Sequence, residues 1–207
     1  MLRLYYSRIP DEEYTIPAEL LSSYRAEKIE KLNNARARRQ SAAAELLLRF
    51  ALTDSGFSMD GPPDIAVGKY GKPFLRSGEC FFSLSHSADA LICALSDREI
   101  GADVQLRSAA QPTLIERFLA EDERSYILAA ADPDGAFTEI WTKKESYVKR
   151  DGRGLALPLG SFCVFDGAIA PLLWHASAEE YHLALCSEAV TAERPELIEV
   201  KADALFP

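Results

Sequence analysis

The stretch from Arg38 to Gly56, "RRQSAAAELLLRFALTDSG", carries few polar positions, and no other feature constrains the fold as much. Its apolar residues do not keep to one stripe, so a helix there must be covered on most sides and lie at the centre of a core. Gly56 supplies a left-handed stop after "DS". Covering such a helix needs a sizeable chain. With 207 residues and 48% hydrophobic composition there is enough material, as one compact domain or as two smaller lobes.

The flanking segments alternate in kind. "LRLYYSRI" is β-rich and ends at Pro10, an acidic loop follows, and "AELLSSYRAEKIEKL" has helical periodicity. "DGPPD" and "GKYGKPFL" are loops by their Gly and Pro content. Three short strands come next, "CFFSLSHS", "ALICALS" and "EIGADVQL", and Asp97–Arg98 between the last two predicts a tight hairpin. "TLIERFLAEDERSYILAA" predicts one helix, "ADPDG" a turn, and Phe137 to about Arg150 another helix. The rest is strand-like in "SFCVF", "APLLWHA" and "YHLALCS" and closes in a polar tail. This order predicts an α+β fold, with a lobe over 1–99 and a similar one over 100–207.

The charge balance narrows the partners. Against 23 basic residues stand 32 acidic ones, a net charge of -9, which excludes general nucleic-acid binding. Cys80, Cys93, Cys163 and Cys186 are scattered without a CxxC pair, which argues against structural zinc and a disulfide framework. Cys93 and Cys186 lie in apolar runs and suit core packing. No apolar segment is long enough to cross a membrane and the N-terminal stretch lacks a signal-peptide core, so a cytoplasmic location is expected.

Within this acidic chain, "WTKKESYVKR" sets Glu145 among cations. Phe137, Ile140, Trp141 and Val148 form the buried stripe of that helix, and Glu145 sits four residues from both Trp141 and Lys149. A solvent-exposed Glu–Lys pair is the ordinary reading, worth a few tenths of a kcal/mol. "IGADVQ" adds Asp103 and Gln105 on one strand face, with Gly101 and Ala102 small enough to admit a ligand. A strand aspartate and a helix glutamate suit Mg²⁺, which keeps waters and takes further ligands from phosphate. In "FSLSHS", Ser85 and His86 point to opposite strand faces and no GxSxG elbow occurs, which disfavours a hydrolytic dyad. These side chains suit phosphate oxygens, or else a hydrogen-bonded strand end. Two basic patches recur: Arg25, Lys28, Lys31, Arg36, Arg38 and Arg39 in 25–39, and Lys143, Lys144, Lys149, Arg150 and Arg153 in 143–153. In an acidic chain they point to a small polyanion, yet neither a Walker A nor a GxGxxG sequence accompanies them.

Taken together, "GKYGKPFL", "FSLSHS", "IGADVQ" and "FTEIWTKKESYVKRDGRGLALPL" resemble the 4'-phosphopantetheinyl transferases of the larger, surfactin-synthetase-activating (Sfp) type, in order and separation, over about Leu20 to Ser187. The resemblance implies an α+β pseudo-dimer with coenzyme A between its lobes. It implies Mg²⁺-dependent transfer of phosphopantetheine to a serine of an apo acyl, peptidyl or aryl carrier protein, releasing 3',5'-ADP. It further implies that Asp103, Gln105 and Glu145 surround the metal and that Glu145, Lys149 and Glu123 serve the reacting centre. Coenzyme A would contact Arg25, Lys28, Lys72, Ser85, His86 and Lys149. Gln105 stands where the family carries a third acid, and Ala102 where it carries a branched residue. A monomer is expected, with no nucleic-acid or membrane partner. Two rivals are the short trimeric holo-carrier-protein synthases, at about half this length, and a non-catalytic module that binds coenzyme A or a carrier. The length and the "WTKKES" helix disfavour the first, and the metal acids the second.

Overall fold

The computed structural model describes residues 1–10 and 16–206 of the chain, so the acidic loop expected after Pro10 falls outside the described residues. In chain order the elements begin with β1 (Leu2–Arg8), α1 (Ser23–Glu30), α2 (Ala35–Asp54), β2 (Ile65–Val67), β3 (Pro73–Leu75) and β4 (Phe81–Ser87). They continue with β5 (Ala90–Ser96), β6 (Ile100–Leu106), α3 (Pro112–Phe118), α4 (Glu121–Ala129) and α5 (Pro133–Asp151). The last are β7 (Leu173–Ala178), β8 (Tyr181–Ser187), β9 (Glu196–Glu199) and α6 (Ala202–Leu205). The fold is α+β, as expected. Among the described residues no helix is long and apolar enough to cross a membrane.

Local chemistry sets several boundaries that composition alone misses. The segment expected as one helix over 18–32 breaks at Ser22, whose hydroxyl accepts from the Arg25 amide and so starts α1 afresh. Asn34 caps α2 in the same way, through the Arg36 and Ala37 amides. The expected turn "ADPDG" is instead the start of α5, with Asp132 as cap and Pro133 in the first turn. The helix expected over 113–130 is two, because Leu119 and Ala120 are extended and the Ala120 amide turns to the Glu123 carboxylate. "GKYGKPFL" contains β3, which pairs with β2, and "SFCVF" is irregular rather than a strand.

The sheets depart from the expected hairpin. β5 pairs with β4 on one edge and β1 on the other, both antiparallel. With both edges taken it has no pairing left for β6, which joins β8 and β7 in a second sheet ordered β6-β8-β7. The first sheet is ordered β4-β5-β1-β9. Its last strand lies in the supposed polar tail and runs parallel to β1. The C-terminal stretch therefore returns to the first sheet instead of staying with the rest of 100–207.

Four layers follow from the side-chain alternation. Leu91, Cys93, Leu95 and Tyr5 face α2, where Ala43, Leu47, Leu48 and Ala51 meet them, so the apolar helix is central to that core. The opposite face of the first sheet, with Leu2, Leu4, Ile92 and Ala94, packs on Ile100, Ala102, Val104, Leu183 and Leu185 of the second sheet. β5 is buried along its whole length for this reason. α5 covers the outer face of the second sheet.

Where the two sheets adjoin, the edge strands β4 and β6 are linked by side chains. The alternate serines of β4 all face β6: Ser83 and Ser87 hydroxyls accept the Ala102 and Leu106 amides at 2.9 and 3.0 Å, and the Ser85 hydroxyl donates to Asp103. The serines thus satisfy an edge that backbone pairing leaves open.

Gly101 explains the closeness of α5. A Cβ there would lie 2.0 Å from the Ser146 carbonyl oxygen and 2.3 Å from the Arg150 nitrogen. Its small size admits a helix backbone, not a ligand as the sequence suggested. A second tie is Lys144, fully buried, whose ammonium donates to both Glu123 oxygens at 2.8 and 2.7 Å and to the Phe162 carbonyl at 2.7 Å. Glu123 also accepts the Ala120 and Val164 amides.

Two outcomes follow. Gly101→Ala forces α5 off the sheet and costs about 3 kcal/mol or more, read as a lowered denaturation midpoint with an unchanged slope. Lys144→Met leaves a buried carboxylate without its cation and costs about 3–5 kcal/mol, while adding Glu123→Gln recovers part of the loss in urea titration.

Candidate active site

A cavity of about 610 Å³ opens where the two sheets adjoin. α1 and β4 contribute Arg25, Lys28, Ser85 and His86; β6 and α5 contribute Asp103, Gln105, Glu145 and Lys149. Residues distant in the sequence thus meet at one place because β4 and β6 lie side by side.

Asp103 lines the cavity and is only 2% exposed. The Ser85 hydroxyl and the Lys149 ammonium each donate to Asp103 Oδ1 at 2.7 Å, and the Gln105 amide donates to Oδ2 at 2.8 Å. An ionised carboxylate only accepts, so the Gln105 amide must present its nitrogen there. Glu145, one turn of α5 before Lys149, is partly buried. Burial first, and then the Asp103 charge, raise its pKa above the usual carboxylate value, with Lys149 acting the other way.

The opposite wall is electropositive. Burial, then Arg25 and Lys149, hold the Lys28 pKa below its ordinary value. His86 sits at the mouth, and loss of solvent, followed by the charges of Lys149, Lys28 and Arg25, lowers its pKa as well. Arg25 is itself buried, with Nε on Glu45 at 3.0 Å and Nη1 on Ser41 at 3.1 Å. Glu45 also accepts from the Ser22 hydroxyl, so the cation is held rigidly at the start of α1. A concave site with converging cations favours anions of high charge density.

Not every expected residue reaches this cavity. Glu123 lies apart, fully buried, and every contact described above for it is structural; its four acceptor bonds leave nothing for a reacting group. The Lys72 stem lines the cavity, but its ammonium turns to Glu99 and to the Ile100 and Arg150 carbonyls at 3.0, 3.3 and 2.9 Å. The second basic patch also disperses. Lys143 pairs with Glu139, Lys144 with Glu123, Arg150 with Glu188 and Arg153 with Asp151. Lys149 is the one of the five that lines the cavity.

Other contributors went unread in the sequence. Leu155, Leu157, Pro158 and Leu159 form an apolar wall after α5, with Leu155 wholly exposed. Its signal was an apolar run beside glycines and a proline, which also fits an ordinary loop. Glu45, which holds Arg25, was marked only by its isolation in "AAAELLL".

As to metals, Asp103 and Glu145 provide hard oxygen donors from two elements, and their mutual repulsion is the kind a divalent cation relieves. Two carboxylates fit Mg²⁺, which uses one or two and keeps waters. Among the described residues, no group of three or more His, Cys, Asp or Glu side chains is placed to hold a metal.

The comparisons with known proteins agree with the motifs. The profile of the 4'-phosphopantetheinyl transferase superfamily matches residues 99–192, the stretch that carries Asp103, Glu145 and Lys149. A 4'-phosphopantetheinyl transferase of Bacillus subtilis is 30% identical over 186 residues, covering 81% of this chain and 82% of the relative. The 4'-phosphopantetheinyl transferase gsp of Aneurinibacillus migulanus is 25% identical over 205 residues, 96% of this chain and 83% of the relative. The transferase Sfp of Bacillus subtilis strain 168 is 35% identical over 99 residues, 46% of this chain and 44% of the relative. With the motifs, the cavity and these matches in agreement, the chain belongs to the 4'-phosphopantetheinyl transferase superfamily.

Proposed function

We propose that the protein transfers the 4'-phosphopantetheine group of coenzyme A to a serine of an apo acyl, peptidyl or aryl carrier protein and releases 3',5'-ADP. The observation that carries this reading is the single cavity in which two carboxylates face Lys149, Lys28, Arg25 and His86. The lobes of the pseudo-dimer are 1–99 and 100–207, apart from the returning C-terminal strand, and coenzyme A occupies the cleft between them. The protein acts as a monomer.

In this reading the serine oxygen of the carrier bonds to the phosphorus that bears pantetheine, the bond between that phosphorus and the bridging oxygen breaks, the bridging oxygen leaves as part of 3',5'-ADP, and the serine proton passes to water. Such a reaction demands positioning and charge neutralisation more than covalent help from the enzyme. Lys149 binds a diphosphate oxygen. His86 offers a ring N–H to the phosphates, while the single hydroxyl proton of Ser85 is engaged by Asp103, so Ser85 serves the site through that carboxylate. Arg25 and Lys28 face the 3'-phosphate. Asp103 and Glu145 would hold Mg²⁺, which when bound neutralises charge on the diphosphate. Gln105 steadies Asp103 through its amide. Leu155, Leu157 and Leu159 offer an apolar surface to the pantetheine arm on one side.

The direct test is incubation with coenzyme A, Mg²⁺ and a panel of apo carriers, followed by mass spectrometry. A phosphopantetheine increment on a carrier is expected; binding of coenzyme A with no increment on any carrier would identify a binding module. Asp103→Asn and Glu145→Gln each lower turnover by roughly a hundredfold or more while melting cooperatively. Turnover near the wild-type level at saturating Mg²⁺ would remove that residue from the site. Lys28→Met weakens coenzyme A by roughly tenfold, since a charge-assisted contact contributes about 1.5–3 kcal/mol, and leaves 3'-dephospho-coenzyme A nearly unchanged. Lys28 suits this test better than Arg25, whose removal would strand Glu45 in the core.

A further inference from the structure

Asp103 already holds three donors before any ligand arrives, two of them on Oδ1. Its Oδ1 accepts from Ser85 and Lys149 and its Oδ2 from Gln105, all within 2.8 Å, and the carboxylate is almost wholly buried. The Lys149 ammonium, which also lies 3.4 Å from the Leu84 carbonyl, is the sole full cation among these donors. It stands on the carboxylate where a divalent ion would bind, on the same cavity side as Glu145.

We infer that Lys149 is a resident counter-ion that blocks Asp103 from a divalent cation until a diphosphate draws the ammonium away. The inference rests on the transferase reading of this cavity, in which Lys149 later contacts the diphosphate. Two physical steps support it. An ammonium within hydrogen-bonding distance of Asp103 repels an incoming divalent ion and, with Ser85, fills the two lone pairs of Oδ1. A diphosphate offers that ammonium a partner of higher charge, so anion binding vacates Oδ1 while supplying oxygens to the ion. Ser85 and Gln105 are neutral and keep Asp103 aimed into the cavity throughout. The ion and the diphosphate therefore bind with positive coupling, and by linkage each tightens the other by the same factor. Lys149 makes that coupling larger than shared ligation alone, because it penalises the ion only when the anion is absent.

The test measures binding of Mn²⁺, as a probe for the Mg²⁺ site, by electron paramagnetic resonance without carrier protein, so no turnover occurs. Wild type, Lys149→Met and Lys149→Arg are each titrated with and without coenzyme A. Without coenzyme A, Lys149→Met binds Mn²⁺ at least tenfold tighter than wild type, whereas Lys149→Arg, which keeps the charge, stays as weak as wild type. Adding coenzyme A tightens wild type at least tenfold and Lys149→Met much less. Should Lys149→Met lose its cooperative melting, Lys149→Gln is the second neutral variant and carries the same expectation. Equal Mn²⁺ affinity of wild type and the neutral variant without coenzyme A overturns the counter-ion role and leaves the transferase reading intact. Absence of Mn²⁺ binding by wild type with coenzyme A bound overturns both this role and the Asp103 metal site. The expected Mn²⁺ pattern without phosphopantetheine transfer to any carrier would instead sink the transferase reading and leave the role of Lys149 standing.

Discussion

The hydrogen bond from Ser85 to Asp103 is where fold and site depend on one another. β4 and β6 are edge strands of different sheets, and neither pairs its backbone with the other. Serines on alternate positions of β4 replace that pairing with hydroxyl contacts. This leaves the strands adjacent, with their side chains free to face a common space. Continuous backbone pairing would have merged the sheets and turned Asp103 toward a neighbouring side chain on the same surface. A buried carboxylate is costly unless it is well supplied with donors, and the seam supplies a serine, an amide and an ammonium.

The same economy governs α5. Successive residues of a helix are turned by about 100°, so neighbours in "KKES" face different surroundings. Lys144 points into the protein and anchors Glu123 and the Phe162 carbonyl. Glu145 points into the cavity, and Lys149 follows it one turn on. Ser146 bonds back to the Lys143 carbonyl and stays buried against the second sheet, which Gly101 lets approach. One short motif therefore serves the fold with its lysine and the site with its glutamate. That is why its cations, counted together, mislead: four of the five in 143–153 are engaged with acids elsewhere.

What the sequence disclosed follows the range of the interaction involved. The apolar α2, the three strands before residue 107 and the helix ending near Arg150 all carry local periodicity, and each exists close to where that periodicity predicts it. The site was legible through short motifs that bring their own neighbours, as "FSLSHS" and "IGADVQ" do. Long-range pairing left no local trace. β9 looks like polar tail because it is a short, largely exposed edge strand whose partner, β1, is at the far end of the chain. The β5–β6 hairpin was the natural expectation from a two-residue joint, and it fails because β1 had already taken that edge. Breaks at Ser22 and Leu119–Ala120 turn on side-chain caps and on a buried ion pair that periodicity does not report.

Glu123 shows how the same limit applies to function. A motif transfers a residue type to a place in the chain, while the role of an acid depends on which donors surround it. Glu123 accepts two backbone amides and a lysine ammonium in a buried setting, so its charge is already compensated, and it does not line the cavity that holds Asp103. Asp103 also accepts three donors, but one of them is a lysine at the cavity wall with room to move toward an anion. Both acids are buried and paired, and burial alone does not separate them. The difference lies in whether the partner cation has a competing partner within reach. Lys144 has none, since its other contact is the Phe162 carbonyl and its charge is enclosed. Lys149 faces a cavity shared with Lys28, Arg25 and His86, which is where a phosphate would bring that competitor.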